Sequence, residues 1–224
     1  MFASLLMPDS AAAPFSARSG RRVNGAGLAV SVSTLTATVT AGAAVIHDPV
    51  TAGGWLAALP SSKVVTLGAR PGAGLSRIDL IVLRIYDADS GLGAVKELKV
   101  EVVAGTASAS PSAPGLPSLS LELARCTVPN AGTVTVVQST ARTVAAGGVL
   151  PVATTAERDA IASPWPGLTV FNVQTGALEV RGASTWERTL TLGALGDLFK
   201  RGSSTVTGGT TTASLAVTFP TPFP

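Results

Sequence analysis

Cysteine and histidine are almost absent: the 224 residues contain one of each. A single cysteine excludes an internal disulfide and a cysteine-based metal cluster. One histidine with one cysteine also falls short of the four ligands that a zinc site usually takes. Aromatic residues make up 4% of the chain, charged residues 13%, and the net charge is +3. Nucleic-acid binding needs many clustered cations with aromatics between them, so we expect no nucleic-acid partner.

Long apolar runs and catalytic motifs are missing as well. Serine, threonine and glycine interrupt every window of 18 residues, so no membrane span is predicted. The chain has no nucleophile-elbow motif and no P-loop. We interpret Cys126 as a small buried hydrophobe and His47 as a histidine of a surface turn. The sequence therefore predicts neither an enzyme, nor a cofactor, nor a metal site.

Small β-forming residues dominate what is present. Alanine, valine and leucine supply the apolar content, together with much serine and threonine, 24 glycines and 15 prolines. Two runs within residues 28–40 alternate: Leu28, Val30 and Val32 with Ala29, Ser31 and Ser33, and then Leu35, Ala37 and Val39 with threonines. This is the period of a half-buried strand. Turn signals at short intervals favour a sandwich or a barrel. We predict an all-β fold with an N-terminal β-sandwich or barrel-like domain.

The centre of this domain is predicted to be the strand over residues 78–85, because that run is apolar on both faces with Asp79 and Arg84 as exceptions. Arg77 and Asp79 lie two positions apart, so we expect them to form a structural ion pair on one face. A second strand, 95–103, returns from an acidic turn, and a Pro/Ser-rich arm at 105–117 follows. We interpret Gly53 and Gly54 as a turn ahead of an aromatic, Trp55, that caps the core.

Four segments are predicted along the chain. Residues 1–22 form an extended N-terminal arm, and residues 23–144 the sandwich. Residues 149–190 form a small module, with a helix over 155–162 opened by the Thr154 to Glu157 capping box and followed by a hairpin. Residues 191–224 form a linker or stem that ends in a Thr-rich hairpin.

Two residue sets are candidates for binding partners. Arg18, Arg21 and Arg22 form a local basic cluster, which we interpret as an anchor of the arm on an acidic surface of a partner. Leu192, Leu195 and Phe199 are spaced i, i+3 and i+7, which gives one heptad. They form either a seam where three copies meet or an ordinary linker, and we favour the seam.

Three stretches resemble known proteins. The hairpin and Pro/Ser arm at 77–117 are similar to those of tail-tip, baseplate and fibre proteins of bacteriophages, particularly phages of high-GC bacteria. The string TTAERDAI (154–161), followed after five residues by GLTVFNVQTGALEVRGASTW (167–186), resembles a fibre-associated module of phage tail proteins. The closing residues, 219–224, resemble the opening strands of fibre tip domains, after which such chains continue.

The resemblance implies a structural virion protein. It implies an N-terminal baseplate-attachment sandwich, a fibre connector and a homotrimer mounted among other tail-tip proteins. It also implies a role in host attachment, with a host glycan or receptor as a further partner. The first nine residues lack a basic region, so we expect synthesis and assembly in the cytoplasm of a host bacterium.

Two alternatives remain open at this stage. A carbohydrate-binding module of a bacterial surface protein requires an exposed aromatic platform, for which Trp55, Trp165 and Trp186 are the candidates. A hydrolase that degrades the host envelope requires acidic or histidine groups that converge in one cleft.

Overall fold

The computed structural model describes residues 6–9, 16–22, 27–48 and 53–189. The chain divides into two units, Met1–Thr189 and Leu190–Pro224, and only the first contains described residues. The predicted stem and Thr-rich hairpin therefore lie outside the described part. Strands dominate the described residues, which confirms the prediction of an all-β fold. No helix among these residues is long and apolar enough to span a membrane.

Eleven strands precede residue 144. They are β1 (Gly20–Arg22), β2 (Val30–Ser33), β3 (Thr36–Val39), β4 (Gly42–Asp48), β5 (Gly53–Leu59), β6 (Lys63–Thr66), β7 (Ser76–Asp87), β8 (Leu92–Val103), β9 (Ser120–Pro129), β10 (Thr135–Gln138) and β11 (Arg142–Thr143). They form three sheets with the orders β10-β9-β7-β8, β2-β3-β6 and β11-β1-β4-β5. Side chains from all three sheets meet in a single hydrophobic cluster.

The first two sheets together make a barrel-like layer. Strand β2 lies beside β10, and β6 lies beside β8, so seven strands follow one another around the cluster. The Gln138 side chain joins β10 to β2: its Nε2 donates to the Val30 carbonyl oxygen at 2.6 Å, and the Val30 N–H donates to its Oε1 at 3.1 Å. An amide side chain thus takes the place of a backbone rung where the two sheets meet.

Strand β7 lies between β8 and β9, as the apolar run at 78–85 predicts. Ile81, Leu83 and Ile85 belong to the central cluster, whereas Leu80 and Val82 are buried on the opposite face. Both neighbours run antiparallel to β7 and hence parallel to each other, so residues 104–119 must cross β7 to join them. We infer that this Pro/Ser-rich crossing segment covers the second face of β7.

The predicted ion pair of Arg77 and Asp79 is confirmed. Arg77 Nε donates to the two Asp79 carboxylate oxygens at 2.9 and 3.0 Å, and both residues are buried. The same guanidinium donates to the carbonyl oxygens of Gly68 and Ala69, while Asp79 Oδ1 accepts the Gly105 N–H at 3.0 Å. The pair therefore fastens the loop before β7 and the start of the crossing segment to the central strand.

The interpretation of Gly53 and Gly54 as a turn is wrong, because both lie in β5, paired with β4. A Cβ on Gly54 would stand 2.5 Å from Ala17 Cβ of the N-terminal arm. The glycine is thus needed for a close approach of the arm to the sheet and not for a bend. The arm itself contributes β1, which pairs antiparallel with β4 and parallel with β11.

A second cluster follows residue 149. Its sheet has the order β12-β13-β14-β15, with β12 (Leu150–Val152), β13 (Thr169–Asn172), β14 (Ala177–Arg181) and β15 (Trp186–Arg188). Helix α1 (Thr155–Asp159) is shorter than predicted, since Ala160 already caps its C-terminus. The capping signal is confirmed: Thr154 accepts the Glu157 N–H at 3.1 Å. Met7 of the arm is buried in this second cluster.

Candidate interaction surface

Strand β5 is the least protected edge among the described strands. Its seven residues, GGWLAAL, contain neither charge nor proline, and β4 is its one partner among the described strands. Five of the other edge strands, β6, β8, β11, β12 and β15, contain a charged residue or a proline. The remaining two, β2 and β10, lie beside each other where the first two sheets meet. Soluble proteins usually protect edges in these ways because unpaired backbone groups invite another strand. Strand β5 therefore offers an open place for strand addition.

Leu56, in the middle of β5, is 61% exposed. It stands at the rim of a hollow of about 410 Å³ that is also lined by Leu6, Val45, Val144 and Ala145, with Arg22 and Thr143. Most of this lining is aliphatic, and burying aliphatic surface is favourable by about 25 cal/mol per Å². An apolar projection and an apolar hollow thus lie side by side on one surface.

The same leucine borders a second depression of about 370 Å³. Trp55 and Ile85 line it on the side of the central cluster, and Lys96 and Glu97 of β8 line its rim. The carboxylate of Glu97 lies 2.5 Å from Lys99 Nζ. We define the Leu56 surface as strand β5 together with these two depressions.

The three arginines predicted to anchor a partner have different environments. Arg21 is 6% exposed and donates to the carbonyl oxygens of Leu28 and Ser139, so it ties three segments of its own chain together. Burial, and then the nearby Arg142 charge, lower the pKa of Arg21. Arg18 lies 4.0 Å from Asp9 and donates to the Arg142 carbonyl oxygen. Arg22 is exposed, at the hollow beside Leu56.

The residues considered for chemistry have structural surroundings. Cys126 is fully buried, and burial, followed by the charge of Asp79, raises the pKa of its thiol to about 11. Such a thiol stays protonated near neutral pH and is a poor nucleophile. His47 lies in β4, and not in a turn as predicted: its backbone N–H donates to Ser19 Oγ, and its Nδ1 is 3.0 Å from the Gly53 carbonyl oxygen. Groups of three or more residues suited to hold a metal are absent from the described part.

The three tryptophans do not form one platform. Trp55 packs against the first hydrophobic cluster, whereas Trp165 and Trp186 pack against the second, and all three are partly buried. The Trp186 ring is flanked by the guanidinium groups of Arg158 and Arg181, at 5.6 and 5.8 Å from its centroid. The carbohydrate-binding alternative stays a prediction, without an exposed pair of indoles among the described residues.

The predicted seam of Leu192, Leu195 and Phe199 lies outside the described residues. The Leu56 surface, in turn, was not predicted. The signal for it was present: an uncharged run, LAAL, follows Trp55 and stops at Pro60. The two preceding glycines concealed this strand, because glycine pairs are typical of turns.

Comparisons with protein-family models, with curated proteins and with solved structures find no match to this chain. The likeness to phage tail proteins therefore depends on the sequence motifs given above.

Proposed function

We propose that this chain is a structural protein of a bacteriophage tail tip, baseplate or tail fibre, and that it assembles as a homotrimer. In this role it mounts or forms the host-attachment apparatus, in contact with other tail proteins and with a host glycan or receptor. The sequence motifs suggest the class of protein. The Leu56 surface is the observation that supports assembly into a homotrimer.

Self-association follows from the physical character of that surface. Among the described strands only β4 pairs with β5, so one side of β5 has no strand partner there, and β5 has no charge to repel a neighbouring strand. Leu56 projects beside a hollow that is wide enough for an aliphatic side chain. Copies related by a symmetry axis near this surface bring each Leu56 to the hollow of a neighbour, and most soluble homo-oligomers have a closed symmetry.

The interior of the barrel is also consistent with a structural role. It is filled by one continuous hydrophobic cluster, with Cys126 inside it as a packing residue. The buried Arg77–Asp79 pair fastens two loops to the central strand. We therefore propose a mechanical role: the sheets of this chain form a structural part of a larger particle.

Sedimentation velocity of the full chain tests the assembly. We expect a species with three times the 22.3 kDa mass of one chain. The variant Leu56→Lys places a charge on the open edge and is expected to weaken association at least about tenfold, because an unpaired charge is costly to bury. Val64→Lys is the matched control, since Val64 is also 61% exposed and lies on β6.

Two outcomes contradict this part of the proposal. A folded monomer of the unaltered chain at micromolar concentration excludes the trimer. Equal association of Leu56→Lys and Val64→Lys excludes the Leu56 surface as its site. The place in the particle needs a separate experiment: electron micrographs with this subunit labelled are expected to show the label at the end of the tail, and a label on the capsid contradicts the proposal.

A further inference from the structure

The N-terminal arm forms part of the hollow beside Leu56. Leu6 of the arm lines this hollow and makes an isolated antiparallel bridge with Ala145, which is another of the lining residues. Arg22, at the other end of the arm, lines the hollow as well. The remaining lining comes from β4, β5, β11 and the segment directly after β11. The hollow is therefore complete only when the arm lies against the sheet.

The arm also contacts β5 on the face that carries Leu56. A Cβ on Gly54 would stand 2.5 Å from Ala17 Cβ and 3.6 Å from Leu6 Cδ1. Gly54 and Leu56 are two positions apart on one strand, so they lie on the same face of the sheet. Ala17 is fully buried. Two residues of the arm thus cover β5 next to the leucine that is proposed to enter a neighbouring copy.

The contacts that hold the arm lie beside the hollow too. The Met7 N–H donates to the Val144 carbonyl oxygen at 3.1 Å, and the Arg18 N–H donates to the Met7 carbonyl oxygen at 2.8 Å. The Met7 side chain is buried in the second hydrophobic cluster. Val144, which accepts the first of these hydrogen bonds, itself lines the hollow. The position of the arm and the shape of the hollow thus depend on the same contacts.

We propose that docking of the arm and association of copies are coupled, so that a copy receives the Leu56 of a neighbour only while its own arm is docked. This inference rests on the proposed assembly through the Leu56 surface. A site that exists in only a fraction of the molecules binds with an affinity reduced by that fraction. The coupling is also reciprocal: if docking of the arm favours association, association favours docking of the arm.

The variant Gly54→Ala tests the coupling in the full chain. Its added Cβ overlaps Ala17 and displaces the arm, whereas a Cβ at Gly72 meets no atom within 4 Å, so Gly72→Ala is the matched control. Sedimentation velocity is expected to show association at least about tenfold weaker for Gly54→Ala, with one hollow in ten or fewer complete, and unchanged for Gly72→Ala. Hydrogen exchange at the Met7 and Arg18 amides should become faster in Gly54→Ala by a similar factor.

A double variant separates displacement of the arm from a direct effect on the interface. Ala17→Gly with Gly54→Ala removes the methyl group that clashes, so the arm docks again and most of the association is expected to return. A direct effect of the new methyl group on a neighbouring copy would persist in this double variant. In the unaltered chain, exchange at the Met7 amide should slow as the protein concentration rises through the dissociation constant of the assembly.

Three results overturn the inference while the trimer stands. They are equal association of Gly54→Ala and Gly72→Ala, a double variant that associates as weakly as Gly54→Ala, and exchange at the Met7 amide that does not depend on concentration. A monomeric unaltered chain contradicts the proposed assembly itself and excludes the coupling together with it.

Discussion

Replacing Asp79 with alanine is the sharpest test of how the barrel is held together. The change removes the acceptor of three hydrogen bonds, two from Arg77 and one from the Gly105 N–H. It also leaves the Arg77 guanidinium, with 10% of its side chain exposed, without its anion. Removing one partner of a buried ion pair typically costs about 3–5 kcal/mol.

The lower part of that range applies here. Arg77 keeps its two carbonyl acceptors, Gly68 and Ala69, so part of its hydrogen bonding survives the substitution. We therefore expect Asp79→Ala to lower the free energy of unfolding by about 3 kcal/mol. Since domains are stable by only about 5–15 kcal/mol, such a loss is easily measured.

Urea unfolding followed by circular dichroism measures the loss. Glu122→Ala is the matched control: it breaks a pair of similar length, 2.8 Å, whose arginine is 54% exposed, and it should cost about 0–1 kcal/mol. The double variant Arg77→Met with Asp79→Leu removes both charges and is expected to be more stable than Asp79→Ala. A loss below about 1 kcal/mol for Asp79→Ala, or a double variant less stable than the single, refutes the reasoning.

Two further predictions concern the barrel. Folding raises the pKa of the Cys126 thiol from a reference value of 9.0 to about 11, so the thiol of the unfolded state loses its proton first as the pH rises. The free energy of unfolding should therefore fall between about pH 9 and pH 11. This extra decline should vanish in Cys126→Ala, and identical pH profiles of the two proteins would contradict it. Gln138→Leu removes the amide that joins β10 to β2 and should lower the free energy of unfolding by about 1–3 kcal/mol, with faster hydrogen exchange at the Val30 amide. Gln138→Glu keeps the acceptor for the Val30 N–H, and unchanged exchange in the leucine variant would exclude the amide as the closure of the barrel.

Local patterns in the sequence predict much of this fold. The alternation at residues 28–40 gives β2 and β3, and the doubly apolar run at 78–85 gives the central strand, because burial on one or two faces leaves a direct mark on residue order. The ion pair of Arg77 and Asp79 follows from their i, i+2 spacing. The Thr154 to Glu157 cap is equally local. In each case the determining interaction lies within a few residues.

The features that the sequence does not reveal depend on distant partners. The pairing of β1 with β11 joins residues about 120 positions apart and involves strands of three and two residues, which are too short to show a period. Gly54 is required by the approach of Ala17, so a signal that is typical of turns has a different cause here. Arg21 resembles a free surface cation in the sequence, and only the surrounding carbonyl oxygens explain its burial.

The position of Met7 has a consequence for biosynthesis. Its side chain is buried among residues that begin with Leu150, more than 140 positions later. At 5–20 residues per second, a ribosome needs roughly 7–30 s to make the intervening chain. The segment around Met7 must therefore wait, unburied, until the last sheet of the unit has emerged, and a chaperone that shields this methionine meanwhile would favour correct folding.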